Sequence, residues 1–187
     1  MNYFETIRCE DYEVFNLEYH EKRVAKAVAL NLNLQEYLYA PSNELLRCKV
    51  IYDENSILSV EFFPYKKREI NSFKIIEDDK IEYSKKYLDR SSIDNLYEKR
   101  GSCDEIIIIK NGLVTDTSIA NIAIYDGTTW LTPKKPLLEG TTRARLLKEG
   151  SLVEKDIDLE MLKQSKKLAL MNAMIDFDVI EDYSFSL

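Results

Sequence analysis

The sequence predicts an α+β fold of two units, and three observations carry that prediction. Hairpin signals dominate: Asn111-Gly112 and Asp126-Gly127 each stand between β-prone runs, and such pairs supply the positive φ that tight hairpin turns require. Helical stretches are scattered among these hairpins, a mixed arrangement typical of α+β chains. The charged run Lys66-Lys67-Arg68-Glu69 makes the best boundary, dividing a smaller N-terminal unit, residues 1–66, from a larger one, residues 67–187.

The elements follow in order. Residues 3–9 and 13–17 form strands about a turn at Asp11-Tyr12. A helix runs from Tyr19 to Leu30, with Val24, Ala27, Val28 and Leu30 as its apolar stripe. Gln35 to Leu38 extends a short second helix, and Ser42 caps another over Glu44-Leu45-Leu46. Strands occupy 47–52 and 57–63, followed by short extended pieces at 73–76 and 80–83. Residues 85–97 read as a helix stopped by Gly101, with Ile93, Leu96 and Tyr97 on one face. After the Asn111-Gly112 hairpin come strands at 121–125 and 128–131, then a loop ending at Gly140-Thr141-Thr142. A helix over 143–148 ends at Gly150, residues 152–157 are extended, and Asp158 caps a helix to Gln164. Strands at 167–171 and 177–180 close the chain.

With 187 residues, the chain is long enough to bury roughly two-thirds of its surface without staples. A net charge of -7 with interspersed signs argues against nucleic-acid binding and for cytoplasmic solubility. No apolar run reaches membrane-spanning length, and the first residues lack the pattern of a secretion signal. Cys9, Cys48 and Cys103 are widely spaced, which predicts reduced thiols and no metal site.

The stretch from Asp104 to Asn121 sets the chemical problem. Ile106 to Ile109 form a strand apolar throughout, expected to be buried on both faces. In the returning strand Val114 and Asp116 share one face, so an acid stands beside a buried sheet and needs a partner. Three further features could carry chemistry. Lys86, at the mouth of a helix, is a Schiff-base candidate or a solvated lysine. Gly140-Thr141-Thr142 is a phosphate seat or a plain cap. Arg23, on the first helix, is an anion ligand or a surface charge.

Together these parts match the needs of pyridoxal phosphate: a lysine, an acid for the ring nitrogen, and an arginine with a helix N-terminus for the phosphate. Lys86-Tyr87-Leu88-Asp89-Arg90 resembles the lysine motif of the fold-type IV (class IV aminotransferase) family. Gly112 to Ile122 resembles its acid motif, and Thr132-Pro133 with Leu138 to Arg143 its phosphate loop. Phe4-Glu5-Thr6-Ile7-Arg8 with His20 and Arg23 resembles its N-terminal signature. Leu170 to Ile175, centred on Asn172-Ala173, resembles the Asn-Ala segment of the aminodeoxychorismate lyase subgroup.

The resemblance implies a fold-type IV enzyme with a small N-terminal α/β unit and a hairpin-rich, pseudo-barrel-like C-terminal unit. It implies pyridoxal 5′-phosphate as cofactor, a small-molecule substrate and a homodimer. Lys86 becomes the catalytic lysine, and Asp116 the partner of the ring nitrogen. Arg23, Thr141, Thr142, Asn172 and Ala173 hold the phosphate, Arg47 and Arg90 are candidates for substrate contacts, and His20 packs or hydrogen-bonds. The implied reaction is the conversion of 4-amino-4-deoxychorismate to 4-aminobenzoate and pyruvate. Amino transfer from branched-chain or D-amino acids, and a catalytically silent family member, are the alternatives. Relative to the family pattern, Asp116 stands where Glu is usual and Asp89 where Asn is usual. The upstream Asp-Arg-Gly and Gly-Asp-Gly segment is missing, so substrate recognition is expected to differ.

Overall fold

The structure is a computed structural model describing residues 1–28 and 32–187. The proposed place of Leu30 in the first helix's apolar stripe lies outside the described residues. The chain divides into two compact units: Met1–Lys67 with Lys85–Asp89, and Arg68–Ser84 with Arg90–Leu187. The short segment Lys85–Asp89 thus belongs to the first unit although its flanks belong to the second.

The first unit opens with β1 (Tyr3–Glu10) and β2 (Glu13–Val14), joined where Asp11 and Tyr12 both take positive φ. The second strand stops well short of Leu17, which begins α1 (Leu17–Val28). β3 (Leu46–Tyr52) and β4 (Ile57–Pro64) complete an antiparallel sheet in the order β2-β1-β3-β4. Val24, Ala27 and Val28 of α1 pack with Ile7, Cys9, Cys48 and Val50 of the sheet, the burial the helical spacing predicted. The helix expected after Ser42 is absent. The Ser42 and Asn43 carbonyls instead accept from the amides of Tyr12 and Asp11, and the Ser42 hydroxyl accepts from the Glu44 amide. These bonds divert the backbone from a helical ladder. The proposed helix at Gln35 is a single 3-10 turn, Leu34–Glu36.

The second unit begins with β5 (Ser72–Glu77). The extended piece expected at 80–83 is turn and coil. α2 (Ser91–Tyr97) is shorter than the helix expected over 85–97. The reason lies in residues 85–88, which pair with the first strand of their own unit. The Phe4 amide donates to the Lys86 carbonyl at 3.0 Å, and the Leu88 amide to the Asn2 carbonyl at 2.9 Å. Tertiary pairing overrides helix propensity here.

β6 (Glu105–Lys110) and β7 (Leu113–Thr117) form the expected hairpin, with Asn111 at φ 52 and Gly112 at φ 76. Ile106 to Ile109 are all buried, so both faces of that strand are covered. β8 (Asn121–Tyr125) and β9 (Trp130–Pro133) follow, then α3 (Thr141–Lys148), β10 (Val153–Lys155) and α4 (Leu159–Gln164). β11 (Lys167–Asn172), β12 (Asp176–Ile180) and the unforeseen β13 (Ser184–Ser186) complete the unit. Among the described residues these strands make one sheet, running β10-β9-β8-β7-β6-β5-β13, with β11 joining β8 to β12. Two local signals behave as expected. The Ser151 and Gly150 amides donate to the Leu146 and Leu147 carbonyls after α3, a Schellman end. The Asp158 carboxylate accepts from the Met161 amide at 2.8 Å, capping α4. Ile107, Ile109, Val114, Ile122, Ile124, Ile157 and Leu170 supply the core.

Candidate active site

Asp116 lies in β7 with its side chain buried, and its main chain pairs with Asn121 across the β7–β8 turn. One carboxylate oxygen accepts from the Asn121 side-chain amide at 2.7 Å, the other from the Leu138 backbone amide at 2.9 Å. Both donors are neutral. Burial therefore wins over them and pushes the carboxyl up to about 6. The same Asn121 amide also donates to the Leu138 carbonyl at 2.8 Å. A Cβ on Gly140 would stand 1.9 Å from the Asn121 side-chain oxygen, so glycine at 140 is required by this close approach. Asn121 therefore ties the acid to the loop that begins α3. Sequence reading placed Asn121 in a motif but missed this role.

α3 starts at Thr141 after Gly140, which offers no side-chain cap, and its first turn holds no acidic residue. Thr141 and Thr142 are buried. The first amides of a helix have no intrahelical acceptor, so this end suits an anion. Asn172 ends β11. Its side-chain oxygen accepts from the Met174 and Ile175 amides at 2.9 and 3.1 Å, and its amide donates to the Ile119 carbonyl at 3.2 Å. Asn172 and Ala173 thus form a turn pinned to the β7–β8 loop. Arg90 donates to the Ser118 carbonyl of that loop at 2.9 Å and pairs with Asp94 at 3.4 Å, so much of its capacity is structural.

In the first unit, Lys86 sits on the extended segment paired with β1, and its ammonium lies 4.5 Å from the Phe4 ring centroid. The neighbouring Lys85 donates to the Ala27 carbonyl of α1 at 2.6 Å, so the two adjacent lysines have different surroundings. His20 and Arg23, one turn apart on α1, both reach the buried Glu5 of β1. The His20 Nδ1 atom lies 2.6 Å from one Glu5 oxygen; Arg23 donates from Nε at 2.8 Å and also from Nη2. Burial alone would raise the Glu5 carboxyl, but Arg23 and His20 outweigh it and hold the group down at about 2. Burial pushes the His20 imidazole below its ordinary value despite the pull of Glu5. The ring is therefore neutral, Nδ1–H donates to the carboxylate, and the facing positive charge is that of Arg23. Arg23 Nη1 takes no part in the bonds to Glu5. Arg47 is exposed on β3, its guanidinium 5.1 Å from the Phe63 ring centroid.

The family profile described as amino-transferase class IV matches residues 86–178. An uncharacterised protein of Haemophilus influenzae is 37% identical over 182 residues, covering 91% of this chain and 96% of its own length. The crystal structure of a provisionally named 4-amino-4-deoxychorismate lyase from Haemophilus somnus is 34% identical with a TM-score of 0.85, covering 92% of this chain and 96% of that one. The PLP-bound form of a hypothetical aminotransferase from Mycobacterium tuberculosis shares the fold at a TM-score of 0.82 and 17% identity, over 99% of this chain and 81% of that one. The chain belongs to the class IV aminotransferase family of enzymes, whose fold-type IV architecture implies pyridoxal 5′-phosphate.

The residues of the second unit fit that cofactor. α3 presents an uncapped N-terminus with two threonines beside it, suited to the phosphate. Asp116 is a buried carboxylate held by neutral donors, which a protonated ring nitrogen would complement. Among the described residues no helix is long and apolar enough to cross a membrane.

Proposed function

We propose that this protein is a pyridoxal-phosphate-dependent lyase that converts 4-amino-4-deoxychorismate to 4-aminobenzoate and pyruvate. The carrying observation is the 34% identity to the Haemophilus somnus protein of that provisional name over 92% of this chain. The Asn172-Ala173 turn, the segment that resembles the lyase subgroup, agrees with it.

Lys86 Nζ is the group that holds the cofactor covalently and then takes and returns the proton at the amine-bearing carbon. The cofactor, when bound, supplies a ring that accepts the electron pair left by that proton. Asp116 keeps the ring nitrogen protonated. The α3 amides, the hydroxyls of Thr141 and Thr142, and Arg23 Nη1 bind the phosphate, and Asn172-Ala173 closes that pocket. Glu5 orients Arg23. Arg47 and Arg90 are the candidates for reading substrate carboxylates. Loss of the enolpyruvyl group as pyruvate leaves an aromatic ring, so the products balance the substrate atom for atom. A cytoplasmic homodimer is the assembly this reading expects.

The test is direct. Purified protein supplied with 4-amino-4-deoxychorismate and pyridoxal phosphate should release 4-aminobenzoate and pyruvate in equal amounts. Amino transfer to a keto acid without 4-aminobenzoate would replace the lyase with an aminotransferase. Protein that takes up no pyridoxal phosphate would be a silent family member.

A further inference from the structure

The second unit holds a cavity of about 270 Å³ that none of the residues assigned above lines. It lies among the β6–β7 turn, the loop after β9 and the segment after β10. Backbone bonds fix these walls together. The Lys134 amide donates to the Lys155 carbonyl at 2.9 Å, and the Val114 amide to the Ile157 carbonyl at 2.8 Å. β9 and β10 run parallel beneath, with Pro133 opposite Lys155. The cavity is therefore built into the sheet.

Its chemistry is divided. Val114, Leu137 and Ile157 are buried and, with Leu113 and Pro136, make an apolar wall. Lys110, Lys134, Lys135 and Lys155 stand against Glu82 and Asp156. Lys110 is spent on Glu82 and on the Ile81 carbonyl, both at 2.7 Å. Lys134, Lys135 and Lys155 make no ion pair among the described residues. Among the described residues, three lysines without an ion pair, with Asp156 as the acid not taken by Lys110, make a positive site on a chain whose net charge is -7. Such a concentration of one sign, beside low-dielectric walls, attracts anions. A dry cavity of roughly 150 Å³ accepts a benzene ring, so this one takes a single ring together with an acid group.

We infer that this cavity is a second binding site, specific for a small organic acid: an apolar body of about one ring bearing a carboxylate that Lys134, Lys135 and Lys155 receive. The apolar wall sets this ligand apart from inorganic phosphate, and the lysines set it apart from a neutral ring. The site stands independently of the lyase reading, because no residue of the proposed catalytic set enters it.

Amide chemical shifts of the full-length protein, titrated with benzoate, inorganic phosphate and benzyl alcohol, test the inference. Benzoate should move the amides of Val114, Leu137 and Ile157 in a saturable way, and the other two probes should move them far less. Lys134→Glu with Lys135→Glu, and separately Lys155→Glu, should weaken benzoate by about tenfold or more, from loss and reversal of nearby charge. Both variants alter exposed side chains, and an unchanged spectrum without ligand checks the fold. Phosphate binding as tightly as benzoate, variants that bind benzoate normally, or shifts confined to Asp116, Thr141 and Thr142 would each overturn the inference.

Discussion

Glu5 in the first unit and Asp116 in the second are both buried strand carboxylates, and the two are treated in opposite ways. Glu5 in β1 receives the Arg23 guanidinium and the His20 ring and is held at about 2. Asp116 in β7 receives two neutral amides and is pushed up to about 6. Burial acts on both; what differs is a cation in direct contact, Arg23 on Glu5, where Arg143 reaches Asp116 only through space. An acid matched inside the chain has a structural job, orienting the helix and arginine that hold it. A buried acid whose direct donors are neutral, with Arg143 acting on it only through space, is poised to receive a cation from a ligand, and that is how a pyridine nitrogen would be recognised.

The largest expected effect lies on activity. Lys86→Ala should lower turnover by about a thousandfold or more, and borohydride should no longer fix pyridoxal phosphate to the chain. Retained labelling would move the catalytic role to another lysine. Next comes Glu5→Gln, which leaves the guanidinium of Arg23 facing a neutral partner in a site where Glu5 is fully buried. Breaking a buried pair costs about 3–5 kcal/mol, to be read from urea unfolding. The wild-type contribution has a definite pH sense. A carboxyl held at about 2 and ordinarily near 4.5 gives stability present above about pH 4.5 and lost as pH falls toward 2. Glu5→Gln should remove that acid-side loss.

The same variable runs the other way for Asp116. A carboxyl at about 6 in the folded chain and ordinarily 3.8 binds its proton more tightly when folded. Its contribution to stability without cofactor is then fully present below about pH 3.8 and is lost as pH rises through 6, by on the order of 2–3 kcal/mol. Asp116→Asn should flatten this slope while lowering activity; an unaltered slope would show that Asp116 is not the titrating group. Gly140→Ala should cost about 1–3 kcal/mol, because its Cβ must displace the Asn121 side chain from 1.9 Å. It should also weaken cofactor binding, measured by spectral titration. The smallest effect belongs to Lys85→Met, which loses one hydrogen bond to Ala27 and should cost about 1 kcal/mol with activity kept.

What the sequence made legible was local. The Asn111-Gly112 turn, the buried isoleucine strand, the Asp158 cap and the Gly150 helix end depend on residues adjacent to them, and all stand in the structure. What it hid depends on distant partners. Lys85 to Leu88 look helical by composition, but the main chain of Asn2 and Phe4 draws them into extended pairing. The link from Asn121 to Gly140 reaches across β8 and β9 and leaves no periodic trace. Glu5, His20 and Arg23 were all noted, yet their meeting was not foreseen. The signal was available: His20 and Arg23 lie one turn apart on the face of α1 that carries Val24 and Ala27, and that face meets the strand bearing Glu5.

The detour of Lys85–Asp89 also bears on how the protein is made. The first unit is not a contiguous stretch of chain, since Phe4 and Asn2 bond to Lys86 and Leu88. During synthesis β1 waits for those partners until the beginning of the second unit has already been translated. Folding of the N-terminal unit therefore cannot finish until Lys85–Asp89 has been made, and a fragment cut at Lys67 would leave the Phe4 amide and the Asn2 carbonyl without their native partners.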